Sequence, residues 1–322
     1  MSPRLREDPD SLNALVAQTA RARGLDPAYV EKDFWVTEVL RAAAVERTIN
    51  GATDAARVVF KGGTSLSRVF GLIDRFSEDV DLLVVFPEGP NDAARHAVFK
   101  SIDADVRSWL GVTSQTGPSS TGVHRTTTYQ YRTSFGSSAI KEGVVLELGS
   151  RGGDIPASEH QFRSMVAIYA EEAYGDDEGV WEEFASFPVT ALAPERTLLE
   201  KLAAVHAAVT NNNQETIAQY GRHFYDIGQL LKSEHVRDAL SALGTDGVAF
   251  LVDDIDRRSE AAGWKWTPRP DGGFADSPAF DDQHEAHSVI QRGYTAALEL
   301  VHGAAPSLSD VFATVRASRA LL

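Results

Sequence analysis

Two aspartates, Asp79 and Asp81, interrupt the apolar run DVDLLVVF at residues 79–86. Side chains two apart on a strand project to the same face, so a strand over 80–86 puts both carboxylates side by side. Ionised carboxylates at that spacing repel, and a divalent cation held by oxygen ligands is the natural compensation. Just upstream stands Lys61-Gly62-Gly63-Thr64-Ser65. Gly62 and Gly63 lack a Cβ and let the backbone approach an anion closely. The start of a helix adds amide groups and a favourable dipole. Thr64 and Ser65 are expected to cap that helix and to offer hydroxyls to the same oxygens. A phosphate cradle next to a metal-binding carboxylate pair suits a nucleoside triphosphate with Mg²⁺.

Elements must hold these groups in place. The pattern predicts a strand over 57–60, a helix over 64–70 and the strand over 80–86. Ahead of them, helices are expected at 11–23 and from Pro27 to about Val45, with Gly24 and Asp26 marking the break between them. The second helix carries Glu31-Lys32-Asp33 before Phe34 and Trp35. It is expected to be amphipathic with one solvated face, or to bring Glu31 or Lys32 to a nucleotide. A helix is expected at 92–110, then a mobile loop rich in Gly, Ser and Thr at 111–122. Strands follow at 123–133 and 144–148. Arg125 and Arg132 are basic groups that could reach a phosphate, though such arginines are more often solvated, and Glu147 interrupts the apolar run VVLEL. Residues 151–179 turn Gly-rich and then acidic; Arg151-Gly152-Gly153 is a weak candidate anion loop. A strand is expected at 186–192. From Pro194 onward the pattern is helical, with predicted helices at 194–208, 222–231, 236–251, 254–262, 281–301 and 307–321. The loop at 263–278, with Trp264 and Trp266, either stacks on bases or is pinned to the core.

Composition bounds the function. The chain has 322 residues, 43% hydrophobic and 24% charged, which fits one large or two ordinary globular domains with a real core. It has no cysteine, which excludes disulfides, thiolate-bound zinc and cysteine nucleophiles. No run approaches the ~18 apolar residues of a membrane span, and the polar start has no signal core; no membrane association and a cytoplasmic location are expected. The net charge of −15 weighs against a nucleic-acid substrate, because phosphate contacts dominate such binding, though it does not exclude a local basic patch.

The string KGGTSLSRVFGLIDRFSEDVDL resembles the DNA polymerase β-type nucleotidyltransferases, and within them the AbiEii-like (MenT-type) toxins of bacterial toxin–antitoxin systems. Further matches are YVEKDFWVTEVL, Glu200-Lys201-Leu202 and the Arg-x-x-x-Asp pattern of RHFYD, ending at Asp226. In scattered blocks the resemblance covers about residues 28–230. It implies an α/β (α+β) fold: a polymerase β-type mixed sheet with helices, followed by a C-terminal α-helical domain. The expected domains are 1–193, the nucleotidyltransferase domain with its helical preface, and 194–322. It implies that Asp79, Asp81 and Glu147 hold Mg²⁺ or Mn²⁺. Lys61, Gly62, Gly63, Thr64 and Ser65 would bind the phosphates of the NTP. Lys201 would neutralise the triphosphate as a point charge; its leucine neighbours leave periodicity silent on where it points. Asp226 would either fix Lys201 or act as base on the acceptor hydroxyl. His223 could serve as a base by its ordinary pKa, but a lone histidine is more often structural, and it is not among the expected site residues.

The activity so implied is that of a toxin: transfer of a nucleoside monophosphate from an NTP to RNA, with the tRNA 3′ end as acceptor, blocking translation. A cognate antitoxin is the expected partner. Ser77 lies two residues before Asp79; it is either a solvent hydroxyl at a strand start or a site where a phosphate, setting about −2 of charge against the metal site, is expected to silence the enzyme. Two other readings remain open from sequence. One is transfer to a protein or small molecule, and the other a non-catalytic nucleotide-binding regulator.

Overall fold

The structure, a computed structural model, describes residues 2–49, 52–137, 140–301 and 303–322. In chain order its main elements are α1 (Pro9–Arg23), α2 (Pro27–Ala43), β1 (Arg57–Lys61), α3 (Gly62–Arg68), β2 (Asp79–Val85), α4 (Asp92–Leu110), β3 (Ser114–Ser120), β4 (His124–Tyr129), β5 (Val144–Gly149), β6 (Ala157–Phe162), α5 (Met165–Tyr174) and β7 (Phe187–Leu192). Helices α6 (Pro194–Thr210), α7 (Gln214–Gln219), α8 (Gly221–Lys232), α9 (Glu234–Ala261), α10 (His287–Ala297) and α11 (Leu308–Ala317) follow, with short 3-10 turns between. The chain divides into two compact units. The first is Met1–Thr64, Ser77–Ser150 and Ala157–Ala191; the second is Ser65–Phe76, Arg151–Pro156 and Leu192–Leu322.

The described strands form one mixed sheet in the order β3-β4-β5-β2-β1-β7-β6. β2 runs antiparallel to β1 and parallel to β5, so it is a central strand. Central strands bury both faces, and Val80, Leu82, Leu83 and Val84 are all buried. The helices of this unit start and stop where local chemistry dictates. Asp8, Asp26 and Asn91 accept backbone N–H groups at the N-termini of α1, α2 and α4, and left-handed glycines Gly24 and Gly111 end α1 and α4.

The sheet contains two strands the sequence does not announce. Residues 111–122, expected as a mobile loop, hold β3, which pairs antiparallel with β4. β3 is an edge strand with nearly every side chain exposed, so backbone pairing holds it and no hydrophobic alternation marks it. Its Pro118 falls where the register shifts between Thr116 and Ser119, a place where a missing N–H costs nothing. β6, with the polar sequence ASEHQF, is the opposite edge and silent for the same reason. Helix α5 also lies in the Gly-rich and acidic stretch 151–179; Ser164 caps it and Gly175 ends it.

The second unit is helical. Its core includes Leu66, Ile73, Leu198, Leu202 and an aromatic group of Phe224, Phe280 and Phe312, with ring centroids 5.7–6.2 Å apart. Helix α8 is held close on one side: a Cβ on Gly221 would meet the Gly293 carbonyl oxygen at 2.0 Å, so α8 and α10 touch backbone to backbone. The expected break between helices at 252–253 does not occur. The chain breaks instead at Gly244, whose φ of 64° and ψ of −178° are non-helical inside α9. The expected helix at 281–301 is regular only over α10, and α7, capped by Asn213, is a short helix between the expected helices at 194–208 and 222–231. The loop after α9 divides: Trp264 is exposed, whereas Phe274 and Ala275 are buried in the core.

Candidate active site

The first unit assembles a row of chemically active positions across the sheet. On β2, Asp79 and Asp81 are two residues apart, both half-buried. In the ladder Asp81 stands opposite Lys61 of β1 on one side and Glu147 of β5 on the other, and Glu147 in turn stands opposite Thr126 of β4. Residues paired in register share a face of the sheet. Lys61, Asp81 and Glu147 therefore form one cross-strand line, with Asp79 two positions along β2.

Helix α3 begins at Gly62, two residues earlier than expected, so both glycines lie within its first turn. Gly62 has φ +82°, and a Cβ there would sit 2.1 Å from Asp81 Oδ2. The Asp81 carboxylate thus occupies the space a side chain at residue 62 would need. Thr64 and Ser65 are buried, and Thr64 Oγ1 donates to the Asp79 carbonyl oxygen at 2.6 Å. That bond fastens α3 to the first residue of β2. It differs from the expected helix cap because the helix already starts before Thr64.

Asp79 Oδ1 is buried and accepts no hydrogen bond among the described residues. A buried carboxylate oxygen left unpaired is costly, and such an atom is where a cation is expected. The donor set available, carboxylate oxygens from Asp79, Asp81 and Glu147, is hard and suits Mg²⁺ or Mn²⁺ over softer metals. Among the described residues no three acidic, His or Cys side chains are drawn together as a ready cage. Mg²⁺ is commonly held by one or two carboxylates with waters and substrate phosphates completing its shell. The residues present fit such a site.

The Glu31-Lys32-Asp33 run of α2 does not form the solvated face of an amphipathic helix. All three side chains are buried, so α2 has no solvated face here. Glu31 accepts the backbone N–H groups of Ser134 and Phe135 at 2.8 and 3.1 Å, and Asp33 accepts that of Met165 at 2.7 Å. Lys32 Nζ donates to the carbonyls of Lys141 and Gly143 and lies 3.5 Å from Glu78 Oε2. Glu78 also accepts the Lys141 N–H at 2.7 Å. These charges satisfy loop backbone that would otherwise be buried unpaired. Arg125 is likewise engaged, paired with Asp103, which also accepts from Thr127 Oγ1 and Tyr129 OH. Arg132 is exposed, and Ser77 is half-buried two residues before Asp79, the first residue of β2.

The second unit holds a compact charged cluster. Asp226 on α8 is completely buried. Its Oδ1 accepts Arg75 Nε at 2.6 Å, and its Oδ2 accepts Arg75 Nη2 at 2.8 Å and Lys201 Nζ at 2.9 Å. Lys201, on α6, also approaches His223 Nδ1 at 3.3 Å. Burial alone would push the Asp226 carboxyl up, but Lys201 and Arg75 together hold it well below the usual carboxylate range. Burial pulls the Lys201 ammonium down against the opposing pull of Asp226, and it pulls the His223 imidazole down further, with Lys201 adding to the effect. The bidentate Arg75 is a member of this charged cluster that the sequence gives no sign of. It sits outside any regular element, and its partner is 151 residues away. The Arg151-Gly152-Gly153 loop shows carbonyls in use instead of amides. Arg258 donates to the Gly152 carbonyl, and the Arg196 guanidinium lies where a Gly153 side chain would be.

Among the described residues no helix is long and apolar enough to cross a membrane. No curated protein matches the chain. The family model described as "Nucleotidyl transferase AbiEii toxin, Type IV TA system" matches residues 44–316, a span that takes in every position of the carboxylate row and of the Arg75–Asp226–Lys201 cluster. With most of its length matched, the chain belongs to the AbiEii nucleotidyltransferase toxin family of type IV toxin–antitoxin systems, which implies an antitoxin as its partner.

Proposed function

We propose that the chain transfers a nucleoside monophosphate from an NTP to the 3′ end of a tRNA, releasing pyrophosphate and so blocking translation, in the cytoplasm. The observation that carries this reading is the buried Oδ1 of Asp79, without a hydrogen-bond partner among the described residues, beside a cross-strand line of Lys61, Asp81 and Glu147. Asp79, Asp81 and Glu147 are the residues that would hold Mg²⁺ or Mn²⁺. Bound there, the metal would supply a Lewis acid for the triphosphate oxygens and for an attacking hydroxyl. Lys61 and the backbone of Gly62 and Gly63 bind phosphate oxygens. Thr64 and Ser65 complete that turn, with Thr64 also holding the start of β2 through the Asp79 carbonyl. Lys201 offsets charge on the leaving pyrophosphate. Asp226 serves Lys201 by holding it: an oxygen pair that already accepts three N–H groups, and whose pKa is depressed, is a poor base.

The test is transfer of label from NTPs radiolabelled at the α-phosphate, offered one at a time with Mg²⁺ and total tRNA. Wild type is expected to label tRNA and the Asp79→Ala/Asp81→Ala double variant is not. The net charge of −15 favours a second reading, transfer to a protein or small molecule. Label on such an acceptor, with none on tRNA, would select it.

A further inference from the structure

Lys201 has three N–H groups to give. Asp226 Oδ2 takes one at 2.9 Å, and His223 Nδ1 lies 3.3 Å from the same nitrogen. We propose that His223 is a positioning residue for Lys201: its Nδ1 accepts a second N–H of the ammonium, and the one N–H then left is committed to an anionic ligand of the polyphosphate class. The inference rests on the reading that Lys201 meets the triphosphate.

The geometry requires a particular state of the imidazole. Only the neutral ring can accept through Nδ1, and its proton must then be on Nε2. The surroundings favour that state. The charged groups facing the ring are Lys201 on α6, Asp226 and Arg222 on its own helix, and Arg75 ahead of β2. Three cations against one anion, together with burial, disfavour a further positive charge. The ring is also fixed in place. Tyr220 packs against it with centroids 4.5 Å apart and planes inclined at 31°, and α8 itself is pinned by the backbone contact of Gly221 with Gly293. A lysine on a four-carbon stem is otherwise free to rotate its three donors. Held by Asp226 alone it has two of them undirected; held by Asp226 and His223 it has one left, whose direction the tetrahedral nitrogen then fixes.

Two substitutions separate this role from packing. His223→Phe keeps a flat ring against Tyr220 and removes the acceptor. His223→Asn places an amide oxygen near the position of Nδ1 and restores it. The probe is inorganic triphosphate, which carries no base, titrated by calorimetry into the full-length protein without divalent metal. Wild type is expected to bind and Lys201→Ala to lose binding. His223→Phe should weaken binding about tenfold or more, the effect of losing a hydrogen bond to a charged group. His223→Asn should stay within about threefold of wild type. Nitrogen-15 NMR of wild type should show His223 neutral at pH 7 with its proton on Nε2. A proton on Nδ1, or equal weakening in His223→Phe and His223→Asn, would overturn the proposal. So would wild-type binding by His223→Phe while Lys201→Ala is defective, and that outcome leaves the role of Lys201 intact. If wild type and Lys201→Ala bind triphosphate equally, the role of Lys201 falls and the proposal falls with it.

Discussion

Gly62→Ala is the substitution on which geometry and chemistry make the sharpest joint demand. An alanine Cβ at residue 62 would lie 2.1 Å from Asp81 Oδ2, 3.0 Å from its Cγ and 3.2 Å from its Cβ. Tight but tolerable contacts begin at 3.0–3.4 Å, so the carboxylate oxygen must retreat by about 1 Å. The atom in the way is the end of a side chain, so the fold can accommodate the change by turning Asp81 aside. The backbone cost is separate: φ is +82° at this residue, and a left-handed conformation costs a residue with a Cβ about 1–2 kcal/mol. At roughly 2–4 °C per kcal/mol, melting should fall by only a few degrees. Activity should fall much further, because a ~1 Å misplacement of a catalytic group costs about 100-fold. The experiment pairs a melting curve with the initial rate of nucleotide transfer on the same preparation. A variant that melts a few degrees low yet transfers within about threefold of wild type would refute the argument. It would mean that the Asp81 carboxylate need not stand where the structure has it.

Asp79→Asn removes a charge whose Oδ1 has no partner among the described residues, so stability in chemical denaturation should hold or rise while transfer falls by about 10³ or more, as for loss of several kcal/mol of metal-borne stabilisation. Asp226→Asn should be strongly destabilising, on the order of 3–5 kcal/mol in urea titration, because Arg75 and Lys201 are left buried without their counter-charge. The same residue gives a pH dependence. Its folded pKa is depressed, so its contribution is complete above the ordinary Asp value near 4 and is lost as pH falls below it; the gap in stability between wild type and Asp226→Asn should be constant from pH 8 to about 5 and narrow toward pH 3. Ser77→Glu, which mimics a phosphate two residues before Asp79, should abolish transfer without lowering the melting temperature, and full activity would count against any inhibitory role for charge at that residue.

The readable parts of this fold are those in which side chains carry the pattern. β2 is announced by Val80, Leu82 and Val84, and α6 by Pro194 at its start and leucines within it. β3 and β6 carry no such pattern because both are edges, and the sheet holds them by main-chain bonds that every sequence can make. The two-residue spacing of Asp79 and Asp81 is legible for the opposite reason, since alternation along one strand is local. The alignment of Asp81 with Lys61 and Glu147 is not local. It depends on the register of β1 and β5 against β2, which is set by pairing 20 and 66 residues apart. The Arg75–Asp226–Lys201 cluster is further still from view. Nothing near Arg75 in the chain distinguishes it from a solvated arginine; its partner is found only once α8 is folded.

Helix α2 shows why charge alone misleads. Glu31, Lys32 and Asp33 side by side suggest a solvated face, and Glu38 and Arg41 further along suggest the same. Yet every one of these carboxylates is buried. Each accepts donors that the rest of the unit must satisfy: Ser134 and Phe135 N–H for Glu31, Met165 N–H for Asp33, Trp109 Nε1 and Arg41 for Glu38. The helix packs against other helices and the sheet, and its long side chains reach peptide groups without strand or helix partners where a loop follows β4 or a helix begins, as at Ser134, Phe135 and Met165. Lys32 makes the connection to the chemistry. Through Glu78 and the Lys141 and Gly143 carbonyls it ties the residue just before β2 to the entry of β5, the two strands that carry Asp81 and Glu147. The charges of α2 thus bear on the carboxylate row by fixing strand ends, Glu78 just before β2 and Gly143 just before β5.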